Sequence, residues 1–176
     1  AFGMKESSLD DLSYKEVDNW INYPKGMFDA LIKLGHNIDH GFNILIYGTL
    51  PNSAGLSSSA SLEVLMGVVL KEEYSFDIEM IDIVKLSQKV ENEYVGVPCG
   101  IMDQWCVAHA LPGEAMLLDC ARLEWKPIML PNALEIEIVD SRVRHTLSDV
   151  VHEKSREESR DAFRDKSRDG GYAALI

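Results

Sequence analysis

Cysteine is scarce in this chain: the three present (Cys99, Cys106 and Cys120) are odd in number and form no C-x-x-C pair. A disulfide framework and a zinc site are therefore not expected, and a reducing compartment is the default. The sequence also has no leading charged-then-apolar segment and no apolar run of about 20 residues that could cross a bilayer. From these absences we expect a soluble, cytoplasmic protein without a membrane partner.

Positive charge is in deficit as well, because the formal net charge is −12 at pH 7. Nucleic acid phosphates repel such a chain, which argues against a nucleic-acid partner. The deficit does not exclude ATP, since a helix N-terminus and a magnesium ion set the local field at a small site. A small-molecule ligand therefore remains open.

The two common phosphate-loop patterns are missing: the sequence contains neither G-x-G-x-x-G nor a loop ending in G-K-[ST]. In their place the stretch Pro51–Ala60, PNSAGLSSSA, follows a strand-like run and opens an apolar helical run, Leu62–Leu70. A small-residue loop that leads into a helix N-terminus gathers main-chain N–H groups, hydroxyls and the positive end of the helix dipole, which suits a phosphate. The alternative is a serine-rich helix cap that binds nothing, and composition alone does not decide between them.

Hydrophobic periodicity predicts a mixture of helices and strands. The first helix contains Pro24, so we expect it to break near Tyr23. The predicted helices cover 14–35, 62–74 and 77–94, and the predicted strands cover 42–47, 115–119, 124–129 and 134–139. The alternating acids and bases of 153–168 would give a helix a solvated, ion-paired face. This order favours an α+β fold over a regularly wound parallel sheet.

Two blocks of the sequence resemble the galactokinases, a branch of the GHMP small-molecule kinases. The first is Pro51–Ala60 with its continuation SLEV, which is similar to the second signature motif of that family. The second is Val90–Gln104, VENEYVGVPCGIMDQ, which resembles the segment that carries the catalytic aspartate. Three shorter segments also resemble galactokinase sequences: WINYPKG at 20–26, LLDC at 117–120 and RH at 144–145.

The resemblance also predicts the domain organisation. It implies a GHMP-kinase-like fold in which residues 1–110 belong to the N-terminal mixed α/β domain and residues 111–176 begin a second α+β domain. The sugar-binding first motif and the glycine-rich third motif of galactokinases are not found in these 176 residues. We therefore expect the central piece of a galactokinase, one that acts as a monomer when complete.

The resemblance implies roles for three side chains. Asp103 would accept the proton of a sugar hydroxyl, and Ser59 and Glu91 would hold Mg²⁺, a hard cation that prefers oxygen ligands. From the residues alone, Asp103 could equally be a capping or ion-paired aspartate. Glu91 could equally be a surface helix glutamate, with Glu93 as a neighbouring competitor.

The remaining implied contacts are to ATP and to the sugar. Trp20 resembles a tryptophan near the adenine pocket, although an apolar tryptophan is as often a core residue. Arg144 would face the phosphates, and Gly100 would bring a main-chain N–H toward a sugar hydroxyl. The phosphates would be held by the loop residues Gly55, Leu56, Ser57, Ser58, Ser59 and Ala60.

The implied reaction transfers the γ-phosphoryl group of ATP to the anomeric hydroxyl of D-galactose. A non-catalytic sugar and ATP sensor is a second interpretation, although the intact Ser59-Ala60 favours the enzyme. A related kinase acting on N-acetylgalactosamine, mevalonate or homoserine is a third interpretation, and a folded but inactive fragment is a fourth.

Overall fold

A computed structural model describes residues 3–51, 55–131, 133–139 and 174–175 of the chain. The chain forms two compact units, Ala1–Ala108 and His109–Ile176. The division falls two residues before the predicted domain boundary. Each unit is described by itself below.

The first unit is helical where the periodicity predicts helices. The predicted break near Tyr23 is confirmed: a 3-10 segment ends at Ile21 and α1 begins at Asn22. Pro24 then lies in the first turn of α1, where its missing N–H would have had no partner. The elements are a 3-10 segment (Glu16–Ile21), α1 (Asn22–Lys33), α2 (Ser58–Glu73), α3 (Met80–Lys89), a π segment (Val90–Val95) and α4 (Met102–His109).

The core of this unit forms where α1, α2, α3 and the π segment pack together. Two helical glycines allow the close approach, because a Cβ atom at Gly26 would lie 2.4 Å from Val90 and one at Gly67 would lie 2.4 Å from Ile83. Burying each large apolar side chain contributes roughly 1.5–3 kcal/mol. The buried members are Met27, Leu31, Met66, Leu70, Ile78, Ile83, Leu86 and Val90.

The strand predicted over 42–47 is wrong, because the structure has no strand between residues 34 and 51. Phe42 and Ile46 pack against the core, while Leu45 and Tyr47 are exposed to solvent. A strand needs the main chain of a neighbour for its hydrogen bonds, and no described residue pairs with this run. Alternation of apolar residues alone could not reveal whether such a neighbour exists.

The second unit contains a small antiparallel sheet with the strand order β2-β1-β3. β1 (Glu114–Asp119) and β2 (Glu124–Met129) confirm two predicted strands, with Glu114 opposite Met129 and Asp119 opposite Glu124. The turn between them is fixed by the Asp119 carboxylate, whose Oδ1 accepts hydrogen bonds from two turn N–H groups at 2.9 and 3.1 Å. β3 (Ala174–Leu175) pairs with the other edge of β1.

The third predicted strand, 134–139, is wrong. This stretch carries no strand in the structure, and Ile136 is 70% exposed. Apolar alternation within the segment does not supply the neighbouring main chain that a strand needs, and no described strand pairs with it. The charged segment 153–168 lies outside the described residues.

The helices and the small sheet together confirm the α+β class. Within the part of the chain that the structure describes, no helix has the length and apolar character needed to span a membrane.

Candidate phosphate and metal site

The serine loop enters α2 through two residues in the left-handed region. Gly55 has φ +73°, which glycine adopts without strain, and Ser57 has φ 55°. The helix begins at Ser58, and the Ser57 carbonyl accepts the first helical hydrogen bond, from the Ser61 N–H at 2.9 Å. Ala60 is fully buried and anchors this first turn.

This geometry bears on the helix-cap alternative. The side-chain oxygen of an N-cap serine accepts a hydrogen bond from a main-chain N–H of the first turn, but the Ser57 side chain makes no capping hydrogen bond. The main-chain N–H groups of Ser58, Ser59 and Ala60 have no intrahelical partners, as in any first turn. With the positive end of the helix dipole, these donors are suited to an anion.

Asp103 lies in the first turn of α4 and is half-buried. Two residues before the helix, Gly100 is exposed with open space where a side chain would stand. The loop 96–100 therefore leads to an aspartate that solvent, and hence a small molecule, can reach.

The structure separates the two competing glutamates of the π segment. Glu91 is 3% exposed, whereas Glu93 is exposed and its carboxylate lies 3.8 Å from the Lys89 ammonium. Glu93 thus behaves as a surface glutamate with an i,i+4 partner. Glu91 points inward at a π distortion of the kind that is often found at functional sites.

Two buried side chains that the sequence reasoning did not single out surround Glu91. Gln104 is fully buried and its Nε2–H donates to Glu91 Oε2 at 2.7 Å. Glu63 on α2 is also fully buried, and neither of its carboxyl oxygens has a hydrogen-bond partner of normal geometry. A signal existed for Glu63, since it is the one acidic residue in the apolar run Leu62–Leu70.

These groups share one electrostatic environment. Burial, and then the nearby charge of Glu91, raise the pKa of Glu63 to about 9, and a contact with Gln104 partly opposes the rise. The same two causes raise the pKa of the Cys99 thiol to about 12 and that of the Tyr23 hydroxyl to about 12. Near neutral pH, Glu63 therefore carries a proton, and the thiol and the phenol are neutral.

The structure brings some predicted site residues together and not others. Gln104 joins Glu91 to the helix turn that carries Asp103, and Ser59 lies one turn before Glu63 on the same face of α2. Trp20 lies on the 3-10 segment, half-buried, with its indole N–H buried and unpaired. Arg144 lies outside the described residues.

The donor set of Ser59 and Glu91, one hydroxyl and one carboxylate, is of the oxygen type that Mg²⁺ prefers. Among the described residues, no three His, Cys, Asp or Glu side chains cluster as a metal site would require. A magnesium ion held by Ser59 and Glu91 would have to take its other ligands from phosphates and water.

The chain is similar to known proteins over most of its length. Residues 22–110, just over half of the chain, match the family model of the GHMP kinases N terminal domain. Among curated proteins, the galactokinase of Enterococcus faecalis is 44% identical over 165 residues, covering 92% of this chain and 42% of the relative. The galactokinase of Bacillus subtilis is 41% identical over 174 residues, covering 98% of this chain and 45% of the relative.

A solved structure gives the same picture. The crystal structure of Lactococcus lactis galactokinase complexed with galactose superposes with a TM-score of 0.74 at 34% identity, covering 95% of this chain and 44% of that one. The chain thus spans under half the length of the relatives it matches.

Proposed function

This chain belongs to the GHMP kinases, and from that membership we propose that it supplies the phosphate loop and the catalytic base of a galactokinase. The reaction is transfer of the γ-phosphoryl group of ATP to the anomeric hydroxyl of D-galactose, giving galactose 1-phosphate and ADP. The observation that carries the proposal is the first turn of α2, where Ser57 is left-handed, caps nothing and leaves the N–H groups after it for an anion. The galactokinase relatives support the choice of galactose as the acceptor.

In this proposal the ATP phosphates are bound by the loop from Gly55 to Ala60 through main-chain N–H groups. Gly55 contributes its positive φ, which turns the chain into the helix. The adenine ring is assigned to Trp20 from the resemblance, and the buried indole N–H of this half-buried side chain has no hydrogen-bond partner. Arg144 is assigned to the phosphates from the resemblance alone.

Asp103 is proposed as the base. Its carboxylate accepts the proton of the anomeric hydroxyl while that oxygen bonds to the γ-phosphorus and the bond from phosphorus to the bridging oxygen of ADP breaks. A carboxylate is a weak base, but phosphoryl transfer has a loose transition state in which positioning and charge neutralisation lower most of the barrier. Gly100 is proposed to offer its main-chain N–H to a hydroxyl of the sugar.

Ser59 and Glu91 are proposed to hold Mg²⁺. When bound, the ion supplies positive charge that neutralises the phosphates of ATP. The burial of Glu91 and its hydrogen bond from Gln104 favour it over the solvent-exposed Glu93 for this role.

We further propose that the protein acts as a cytoplasmic monomer with small-molecule partners and no nucleic acid. The cysteines Cys99, Cys106 and Cys120 form no disulfide, which is typical of a reducing compartment. The net charge of −12 supports the absence of a nucleic-acid partner.

The test is ATP-dependent formation of galactose 1-phosphate by a full-length protein that contains this chain. We expect turnover there and its loss in Asp103→Asn, with ATP binding largely retained. Asp82→Asn is the matched control, because Asp82 also lies in the first turn of a helix, α3, but is far from the loop in sequence.

Each alternative has its own outcome, and a folded chain that neither turns over nor binds either ligand would be the inactive fragment. Equal turnover in Asp103→Asn would remove the base assignment. Binding of ATP and galactose without transfer would favour the sensor, and transfer to N-acetylgalactosamine, mevalonate or homoserine instead of galactose would favour the related kinase.

A further inference from the structure

Three buried polar side chains meet in the interior of the first unit, each from a different element. Glu63 comes from α2, Glu91 from the π segment and Gln104 from α4. Their exposed fractions are 0%, 3% and 0%. A cluster of this kind is costly to bury, because polar groups lose their hydration and must find partners inside the protein.

Gln104 occupies the central place in this cluster. Its Nε2–H group donates to Glu91 Oε2 at 2.7 Å and makes a weaker contact with Cys99 Sγ at 3.7 Å. A fully buried amide has few alternative rotamers, so this bond fixes the orientation of the Glu91 carboxylate. Such outer partners of ligating side chains commonly set both the orientation and the affinity of a metal site.

Glu63 lies near Gln104, and this contact opposes part of the rise that burial causes in the pKa of the Glu63 carboxyl. The Glu63 carboxyl has no normal hydrogen-bond partner, and Gln104 Oε1 is also buried without one. Glu63 is one turn beyond Ser59, so it links the first turn of α2 to the Gln104–Glu91 pair. Packing alone would be served by a leucine at this position, and the carboxyl therefore calls for another explanation.

We infer that Gln104 and Glu63 are positioning residues that hold the Glu91 carboxylate in one orientation relative to Ser59. The inference rests on the proposed role of Glu91 as a metal ligand. Gln104 acts by direct hydrogen bonding to Glu91, and Glu63 acts by holding Gln104 between α2 and the π segment.

The test measures the Mg²⁺ requirement for ATP binding rather than turnover. The dissociation constant for ATP is determined by calorimetry on the 176-residue chain over a series of Mg²⁺ concentrations. We expect Gln104→Leu and Glu63→Leu to raise the Mg²⁺ concentration for half-maximal effect roughly tenfold or more. Glu63→Gln, which keeps the shape and a hydrogen-bond donor, should stay close to the parent.

Gln88→Leu is the matched control for Gln104→Leu. Gln88 is half-buried, whereas Gln104 is fully buried, and the Gln88 amide donates to the Cys99 carbonyl at 3.3 Å and not to Glu91. Its Mg²⁺ requirement should be unchanged. If Gln104→Leu does not fold by circular dichroism, Gln104→Asn shortens the side chain by one methylene and serves in its place.

A double-mutant cycle decides whether Gln104 acts through Glu91. We expect Glu91→Gln with Gln104→Leu to require no more Mg²⁺ than Glu91→Gln alone, because the partner is already lost. Additive effects of the two substitutions on the Mg²⁺ requirement would overturn this inference alone. So would an unchanged Mg²⁺ requirement in Gln104→Leu, if Glu91→Gln raises it. An unchanged requirement in Glu91→Gln would overturn the metal role of Glu91 and this inference with it.

Discussion

Glu63 is a carboxyl side chain that the fold removes completely from water. It is fully buried in an otherwise apolar stretch of α2, and its pKa is raised to about 9 by burial first and by Glu91 second. In the unfolded chain the pKa of this carboxyl returns to its ordinary value near 4.5. Between these two pKa values the folded chain keeps a proton that the unfolded chain loses.

This difference predicts a pH-dependent stability. The free energy of unfolding should fall as the pH rises from about 5 to about 9, by up to about 1.4 kcal/mol per pH unit from this group. Glu63→Gln cannot ionise, so its stability relative to the parent should grow across that range. Urea unfolding at about pH 5.5 and about pH 8.5, with a chelator present, measures the effect.

Glu93→Gln is the control for this prediction, because Glu93 is exposed and lies beside Lys89 at the surface. Its stability relative to the parent should change little with pH. Parallel pH profiles for the parent and Glu63→Gln would contradict the assignment of a protonated Glu63.

Local sequence signals located most of the candidate site but not its support. The loop, Asp103 and Glu91 were predicted from sequence motifs. The burial that distinguishes Glu91 from Glu93 depends on the π segment, and residue spacing could not predict it. Gln104 directly follows Asp103 in the sequence, yet its bond to Glu91 exists only because α4 packs against the π segment.

At the scale of elements, helix packing depends on two close approaches. A Cβ atom at Gly67 would lie 2.4 Å from Ile83 Cγ2 and 3.1 Å from Met27 Cε, so α2 can reach its neighbours only with glycine there. The helices α1, α2 and α3 were predicted from their apolar pattern, whereas α4, which carries Asp103, was not. The strands predicted over 42–47 and 134–139 are wrong, because a strand depends on a partner that its own residues do not specify.

The glycine contact gives a second stability prediction. Gly67→Ala should lower the free energy of unfolding by about 1–3 kcal/mol through overpacking, even though alanine is the better helix former. Gly48→Ala adds the same methyl group where nothing lies within 4 Å and should be close to neutral. Urea unfolding of the two variants provides the comparison, and a Gly67→Ala chain as stable as the parent would contradict the packing described here.

At the scale of the whole molecule, the chain carries a net charge of −12 and yet is assigned a polyanionic ligand. The two facts are compatible because the N–H groups and dipole of α2 act within the first turn of the helix, over a distance shorter than the screening length of physiological salt. We therefore expect the affinity for ATP to depend on one short stretch of main chain and not on the overall charge.

Calorimetric titration of ATP with Mg²⁺ into the 176-residue chain and its Gly55→Val variant tests this central claim most directly. Valine is strained at a φ of +73° and would displace the loop N–H groups, so we predict at least roughly tenfold weaker binding. Gly35→Val imposes the same strain at a φ of +91° after α1 and should bind ATP as the parent does, as should Ser57→Ala. A parent chain that binds no ATP, or a Gly55→Val chain that binds it equally well, would contradict the account.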